Sequence, residues 1–288
     1  MRTSKARKKS LENPYNDLYI YYLKGRLESS KPVFGKGFIG NWQENEYSFL
    51  FFSKPSLEEV AGVLNSNPGV AFLEEFHMTY EQWQGRRIEP FKVGRFHIVP
   101  PWQKIANDHY RSHEEFSIIL DPGVVFGNGL HATTRDCIKA LEITFPRGCI
   151  KSAIDLGTGT GILALAASLL GCGRILALDL NLLAANTALR NVRLNGLENR
   201  IVVVQGRAED FIDSKSDLVI ANIHYDAMKD LLASRNFYNK KWYILSGLLR
   251  SQARAVRSVL SHNRINIINS WECDGIWHTL LGEKDLQC

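Results

Sequence analysis

The sequence predicts an α/β fold: a Rossmann-like parallel sheet that ends in an antiparallel hairpin, preceded by a small α+β domain. From about residue 150, short apolar strand-like runs alternate with helix-like runs, a pattern typical of βαβ units and of a parallel sheet with helices on both faces. The last two strand-like runs, 266–273 and 277–283, meet at Asp274-Gly275, which is a hairpin signal and makes the final strand antiparallel.

Changes in composition divide the 288 residues into four segments. Residues 1–14 form a basic tail and residues 15–83 a small α+β domain. Residues 84–115 are rich in Pro and Gly and are predicted to be a linker with one strand. Residues 116–288 form the parallel-sheet domain.

The small domain is expected to hold about four strands and one or two helices. Residues 15–27 are rich in Tyr, Ile and Leu and predict a strand, and residues 37–53 predict a hairpin. Ser56 looks like the N-cap of the following helix, with Glu59 completing a capping box, and Asn67 begins the Asn-Pro-Gly segment that ends this helix.

Composition excludes several classes of protein. No apolar run approaches the roughly 20 residues of a membrane span, and the basic start lacks the apolar segment of a secretory signal. The five cysteines are odd in number and none has CxxC spacing, which argues against a zinc site or a disulfide framework. We therefore expect no membrane contact, no metal, and a reducing compartment, the cytoplasm.

The net charge is +5, and much of it lies in the first ten residues. The basic residues there, with no acid among them, are Arg2, Lys5, Arg7, Lys8 and Lys9. Such a block is typical of a solvated tail. It is also compatible with an arm that contacts RNA weakly.

The most informative segment is AIDLGTGTGIL, in which a buried strand ends at Asp155 and a glycine loop leads into a helix. The loop glycines are Gly157, Gly159 and Gly161, so the spacing is GxGxG. A dinucleotide-binding fold needs GxGxxG, whose third glycine would fall on Ile162. With an acid two residues before the first glycine, the segment resembles the loop of class I methyltransferases, which bind S-adenosylmethionine.

Two acids after the next strands fit a ribose-bearing cofactor. Asp179 ends the second strand, where an acid accepts hydrogen bonds from ribose hydroxyls. It could also cap the following helix, and the two roles are compatible. Glu209 follows the third strand, near the expected adenine, and is as readily explained as an acid at a helix start.

Further segments make the resemblance specific. DPGVVFGNGLHATT occupies Asp121–Thr134, VIANI occupies Val219–Ile223, and the fifth strand ends in Ser246-Gly247. From about Trp83 to Lys284 the sequence resembles the PrmA family, class I methyltransferases that modify large-subunit ribosomal protein eleven on lysines and its N-terminus. Position by position, the resemblance implies cofactor contacts at Thr134, Gly157, Asp179 and Asn222.

The same resemblance places Phe126, His131 and Thr133 on a loop that covers the methyl donor. Its glycines suit a lid, which needs hinge freedom. His131 is a candidate catalytic residue by location and equally a cap of the next helix. Asn222 ends a parallel strand, where open α/β sheets bind ligands, so its amide is expected to hold the incoming amine; the alternative is a turn residue.

The residues after Asn222 bear on the acceptor. They are Ile223-His224-Tyr225 and not the Pro-Pro-aromatic clamp with which related enzymes hold a planar amide or adenine. An amine acceptor fits better, although no dedicated general base is evident.

The family's N-terminal domain is ferredoxin-like with two helices. Here the gap SSKPVFGK is too short for the first of them, so a reduced version is expected. The leading hypothesis is methylation of the ribosomal protein's lysines. The alternatives are another protein's lysine or a small amine, and a non-catalytic, cofactor-binding assembly factor.

Overall fold

The computed structural model describes residues 13–27, 35–103 and 115–285. The predicted basic tail therefore lies outside the described residues, except for its last two positions. No helix within the described ranges is long and apolar enough to cross a membrane. In the same ranges, no group of three or more His, Cys, Asp or Glu side chains is placed to hold a metal ion.

The chain forms two compact units, the first taken from residues 1–90 and 99–111. Its four strands form one antiparallel sheet, and two helices follow the third and fourth strands. The elements are β1 (Asp17–Lys24), β2 (Phe38–Glu44), β3 (Tyr47–Phe52), α1 (Leu57–Ser66), β4 (Ala71–Thr79) and α2 (Tyr80–Gln84).

The strand order β2-β3-β1-β4 is that of a ferredoxin-like sheet. Helix α1 covers one face, where Tyr21, Leu50 and Phe52 of the sheet form a buried cluster with Val60 and Val63 of the helix. The buried residues of α1, Val60 and Val63, are separated by exposed positions, as expected for an amphipathic helix. The predictions of about four strands, a hairpin over residues 37–53 and one or two helices are confirmed.

The predicted capping box at α1 is wrong. Ser56 stands at the N-cap position, but its side chain makes no cap hydrogen bond. Glu59 does not turn back to the cap, because its Oε2 accepts a hydrogen bond from the backbone N–H of Gly35 at 2.9 Å. A complete capping box occurs instead at α2, between Thr79 and Gln82.

The second unit, taken from residues 91–98 and 112–288, contains the large sheet. Its strands are β5 (Phe91–Val93), β6 (Phe96–Val99), β7 (Phe116–Ile119), β8 (Ser152–Leu156), β9 (Arg174–Asp179), β10 (Ile201–Gln205), β11 (Leu218–Asn222), β12 (Trp242–Leu249), β13 (Ile265–Cys273) and β14 (Trp277–Lys284). Its helices are α3 (Ala132–Arg147), α4 (Ile162–Leu169), α5 (Leu182–Leu194), α6 (Tyr225–Ala233) and α7 (Arg250–His262), with short 3-10 helices at Ala208–Phe211 and Arg235–Asn239.

Seven strands form the sheet in the order β10-β9-β8-β11-β12-β14-β13. Strands β8 to β12 run parallel, and β14 is antiparallel to both of its neighbours. Asp274 and Gly275 both have positive φ, 54° and 67°, and they lie in the three-residue connection between the paired residues Cys273 and Trp277. The predicted parallel sheet and terminal hairpin are confirmed.

Each face of this sheet is covered by helices. One buried cluster joins the sheet to α3, α4 and α5 through residues such as Ile138, Leu165 and Val192. The other joins it to α6 and α7 through Met228 and Val256. Strands β8 and β11 lie between two covered faces, so most of their residues are apolar, and Asp155 and Asn222 come at or next to their carboxyl ends.

The described residues of the segment 84–115 hold two strands where the sequence predicts one. β5 and β6 form a hairpin around Gly94, which has φ 53°. A three-residue strand such as β5 gives too few alternations for a sequence pattern to reveal it. The four domain boundaries drawn from the sequence remain a proposal.

Candidate active site

The glycine loop lies at the carboxyl edge of the parallel sheet, directly after β8. Gly157, Gly159 and Gly161 have φ values of 70°, 57° and 83°, a region that disfavours any side chain. A Cβ on Gly157 would overlap the side chain of Ile223, and a Cβ on Gly159 would lie 2.6 Å from the carbonyl oxygen of Phe126. The loop therefore needs glycine both for its backbone conformation and for the close approach of neighbouring segments.

Asp155 is hydrogen-bonded to the glycine loop and to the helix that follows it. Its side chain is 1% exposed, and its Oδ2 accepts a hydrogen bond from the Thr158 hydroxyl at 2.6 Å. The backbone N–H of Ala164, in the first turn of α4, donates to the same carboxylate. Burial raises the pKa of Asp155 to about 6, although these hydrogen bonds oppose the shift. The carboxylate ties together the loop and the start of the helix.

The raised pKa of Asp155 predicts a pH-dependent stability. The folded chain keeps the proton up to about pH 6, whereas the ordinary pKa is 3.8. Between these values the folded state binds more protons than the unfolded state, so the free energy of unfolding should fall as pH rises, by roughly 3 kcal/mol in all for this group. Urea unfolding at a series of pH values from 4 to 7 measures this fall in the free energy of unfolding.

The matched variant is Asp155→Asn, which cannot titrate. It should lose most of that pH slope, while Asp179, whose pKa burial also raises, supplies the remainder with the same sign. An identical slope in parent and variant would contradict the assignment.

Asp179, at the end of β9, faces the glycine loop. Its Oδ2 accepts a hydrogen bond from the backbone N–H of Gly159 at 3.0 Å, and its Oδ1 accepts one from the N–H of Asn181 at 2.9 Å. The N-cap of α5 is Asn181, whose Oδ1 accepts from the N–H of Leu183 at 2.9 Å. Asp179 is thus not the cap, and each carboxylate oxygen keeps a lone pair for a ligand hydroxyl.

The segment 121–134 lies on the glycine loop. The Thr160 hydroxyl donates to the carbonyl oxygen of Gly127 at 2.6 Å. Three glycines of this segment have positive φ, namely Gly123, Gly127 and Gly129, at 55°, 98° and 85°. Phe126, beside them, is 56% exposed. The segment has the position and the glycine-supported bends expected of a lid.

A chain of three polar side chains crosses from the lid to β11. The Nδ2 of Asn222 donates to the Thr133 hydroxyl at 3.3 Å, and this hydroxyl lies 2.8 Å from Nδ1 of His131. His131 is also the N-cap of α3, so the cap reading is confirmed in geometry. Burial lowers the pKa of His131, which favours the neutral ring. The Thr133 hydroxyl then donates to Nδ1 and accepts from Asn222, which fixes the direction of the Asn222 amide.

Two aromatic rings flank His131. Phe126 of the lid and Trp277 at the start of β14 both meet it edge to face, with ring centroids 5.5 Å and 5.3 Å away. No sequence motif indicates Trp277, because it reaches the site only through the pairing of β14 with β12 and β13. Electron-rich ring faces beside a half-buried imidazole suit a cationic ligand group.

Sequence reasoning also misses two asparagines at the carboxyl end of α5, Asn191 within the helix and Asn195 at its C-cap. Asn191 and Asn195, one turn apart, pair with the backbone that leads into the lid as a neighbouring strand would. Asn195 exchanges hydrogen bonds with the N–H and C=O of Ile119 at 2.9 and 2.7 Å. Asn191 does so with Asp121 at 2.8 and 2.9 Å, and its Nδ2 also donates to the carbonyl of Thr160 at 2.8 Å.

Asn191→Ala should therefore lower stability and loosen the lid together. The change leaves three backbone groups of Asp121 and Thr160 without partners in a fully buried position, which predicts a loss of roughly 3 kcal/mol in the free energy of unfolding. Urea unfolding measures the loss, and hydrogen exchange should show faster exchange at the Asp121 amide. Asn266→Ala, on an exposed asparagine of β13, should stay within about 0.5 kcal/mol of the parent; equal effects from both changes would refute the lid contact.

Two features indicate that this edge fits a ligand. The Thr134 hydroxyl is buried and has no hydrogen-bond partner among the described residues. The N-cap of α4, Gly161, supplies no side-chain cap, so the N–H groups of the first turn other than that of Ala164, which donates to Asp155, are available to bind a ligand. Glu209 lies on the 3-10 helix after β10, and its recorded partner is Arg207 at 3.4 Å.

Comparisons with known proteins agree with this geometry. A family model described as ribosomal protein L11 methyltransferase (PrmA) matches residues 62–285. A curated relative from Staphylococcus aureus strain JH1, named ribosomal protein L11 methyltransferase, is 36% identical over 201 residues, which is 68% of this chain and 62% of the relative. The chain thus spans less than two thirds of that relative's length.

A solved structure gives the same picture. The ribosomal protein L11 methylase of Lactobacillus delbrueckii subsp. bulgaricus matches with a TM-score of 0.59 and 27% identity, over 69% of this chain and 100% of that one. Because the family model covers well over half of the chain, and because the order of strands and the glycine loop agree with a class I methyltransferase fold, this chain belongs to the ribosomal protein L11 methyltransferase (PrmA) family.

Proposed function

We propose that this protein transfers a methyl group from S-adenosylmethionine to lysine amines of ribosomal protein L11, with that protein's N-terminal amine as a second acceptor. Membership of the family and the names of its curated relatives support the substrate. The main observation in favour of an amine acceptor is the orientation of the Asn222 side-chain amide. Thr133 engages its NH₂ group, so its oxygen is the atom left for an incoming N–H donor.

The cofactor would be held by residues already gathered at the carboxyl edge of the sheet. Gly157, Gly159 and Gly161 let the ligand approach the backbone, and the carboxylate of Asp179 has lone pairs for ribose hydroxyls. The unpartnered hydroxyl of Thr134 supports the fit, since a ligand would complete its hydrogen bonding. Asp155 acts through the loop, and Glu209 stays the proposed adenine contact. When bound, S-adenosylmethionine supplies an electrophilic methyl group on a sulfonium.

Asn222 positions the acceptor. Its carbonyl oxygen would accept a hydrogen bond from the amine and so direct the nitrogen lone pair towards the methyl carbon. Gly247 keeps the space beside this oxygen open, because a Cβ there would lie 3.3 Å from Asn222 Oδ1. In-line displacement leaves little other work for the protein, so alignment of this kind carries much of the rate.

The acceptor amine must lose a proton before it reacts. A free lysine has a pKa of about 10.4, so only about one in a thousand or fewer is neutral near pH 7. His131 is a poor base here, because Thr133 engages its Nδ1; we assign it to positioning Thr133 and, through it, Asn222. In a closed site, Phe126 and Trp277 would exclude water, and desolvation would lower the pKa of an amine that enters it.

We place this reaction in the cytoplasm. The cysteines of the described residues, Cys137, Cys149, Cys172 and Cys273, are free thiols, in keeping with a reducing compartment. The proposed partner is the ribosomal protein. Weak RNA contact through the basic tail falls on residues outside the described ranges and stays a prediction.

One assay tests the function. Purified protein is incubated with radiolabelled S-adenosylmethionine and either isolated ribosomal protein L11 or a whole lysate, and mass spectrometry locates the methylated atoms. The matched substrate controls are ribosomal protein L11 with its lysines changed to arginine and a version with a blocked N-terminus. Label confined to lysine and N-terminal amines of ribosomal protein L11 is the expected result.

Other outcomes would replace the proposal. Label on a different protein or a small amine from the lysate would support that acceptor instead. Tight S-adenosylmethionine binding with no label on any species would favour the non-catalytic assembly factor.

A further inference from the structure

A basic groove lies between α7 and the terminal hairpin, and none of the residues proposed above to take part in methyl transfer lines it. Its volume is about 290 Å³. Arg250, Arg254 and Arg257 line one wall, and Glu272 and His278 lie on the opposite side. Glu272 and His278 are directly paired in the β13–β14 ladder, so both side chains point to the same face of the sheet, the one that α7 covers.

The three arginines repeat along one face of α7. Their spacing of four and then three residues places them on successive turns, over roughly 10 Å of helix. Arg250 pairs with Glu272 at 3.1 Å. Neither Arg254 nor Arg257 forms an ion pair within the part of the chain that the structure describes. The first turn of α7 contains no acid, so the positive helix end adds to the charge of the arginines.

His278 gives a second, independent sign of a ligand. The residue is only 8% exposed, and its Nε2 is buried without a hydrogen-bond partner among the described residues. On the other side of the ring, Nδ1 lies 3.8 Å from a Glu272 carboxylate oxygen. Buried polar atoms are almost always satisfied, so an unpartnered imidazole nitrogen on a groove wall calls for a partner.

We propose that this groove binds the phosphate backbone of single-stranded RNA. The guanidinium fork of arginine matches the geometry of a phosphate, and two arginines without protein partners keep that capacity. A row of charges along a helix suits a polyanion with regular spacing better than one small anion. The choice of RNA over DNA rests on the proposed function, in which the methyl acceptor is a ribosomal protein.

Fluorescence anisotropy with a labelled oligouridylate and the full-length chain tests the groove without methyl transfer, so its result is independent of that activity. Arg254→Gln with Arg257→Gln should weaken binding about 10-fold or more and lower the magnitude of the salt slope of log K by about 1.4, which is about 0.7 for each lost phosphate contact with a single strand. The matched control, Arg147→Gln with Arg193→Gln, removes the same charge from exposed ends of α3 and α5 and should change affinity less than about two-fold.

Several results would overturn the proposal. Unchanged RNA affinity in the groove variant would place any RNA binding elsewhere, the basic tail included. Equal losses in the groove and control variants would show a general effect of net charge. Competition by polyglutamate as strong as that by unlabelled RNA would indicate an acidic protein partner. Displacement of the RNA by millimolar inorganic phosphate would show that the groove binds free phosphate and not a nucleic acid. Equal affinity for oligothymidylate would show that the groove does not prefer RNA to DNA.

Discussion

Replacing Gly159 with alanine is expected to weaken S-adenosylmethionine binding roughly 100-fold, equivalent to about 2.7 kcal/mol. Gly159 has φ 57°, where a Cβ strains the backbone, and the new methyl group would lie 2.6 Å from the carbonyl oxygen of Phe126. To relieve this contact, either the lid or the loop must move. Because the N–H of Gly159 also donates to Asp179, a displaced loop would disturb the proposed ribose contact as well.

Isothermal titration calorimetry with S-adenosylmethionine and with S-adenosylhomocysteine measures the effect on both ligands. Gly173→Ala is the matched control, since this glycine lacks a positive φ and its nearest neighbour is a backbone oxygen at 3.9 Å. The control should bind as the parent does. Cofactor affinity in Gly159→Ala within about two-fold of the parent would mean that the loop tolerates a side chain and does not approach the cofactor closely.

The features that the sequence predicts well are those written in local patterns. Alternating apolar strands and helices indicate the parallel sheet. Asp274-Gly275 indicates the hairpin, because few other residue pairs favour a positive φ at both positions. The glycine spacing at 157–161 is also a local signal, because each of these glycines is required by the positive φ at its own position. Resemblance to the family then places the proposed lid at 121–134, which no periodicity would reveal.

Side-chain partners distant in the chain are not predictable in this way. Asn191 lies 70 residues from Asp121 and sits inside a helix, where its amide looks like an ordinary polar position. Trp277 reaches His131 only through strand pairing. The capping box at Ser56 fails for the same reason, because Glu59 finds a better partner in Gly35, which precedes β2.

Two positions were ambiguous in the sequence, and the geometry separates their roles. Asp179 could bind ribose or cap α5, and the cap proves to be Asn181. His131 could take part in chemistry or cap α3, and it does cap α3 while contacting Thr133. A residue type allows several roles, and only the distances to partners from other elements distinguish them.

Asn222→Ala is expected to lower kcat for methyl transfer about 100-fold, while cofactor affinity, to which Asn222 is one of several proposed contributors, falls much less. The variant removes the oxygen proposed to align the acceptor amine, but leaves the glycine loop and Asp179 untouched. Single-turnover assays with radiolabelled S-adenosylmethionine measure the rate, and calorimetry measures cofactor binding. Asn263→Ala, at the end of α7, removes one helix-end hydrogen bond remote from the site and should leave kcat within about two-fold.

Thr133→Val sharpens the interpretation of Asn222. Valine keeps the shape of threonine but neither accepts from Asn222 nor donates to His131, so the amide is free to turn its NH₂ group towards the acceptor. We expect kcat to fall about 10-fold, less than in Asn222→Ala, since part of the amide population still presents its oxygen. Thr133→Ser, which keeps the hydroxyl, should restore most of the rate. If Thr133→Val matched the parent, the hydrogen-bonded chain would not orient Asn222, and if Asn222→Ala matched the parent, the acceptor would be aligned by other residues.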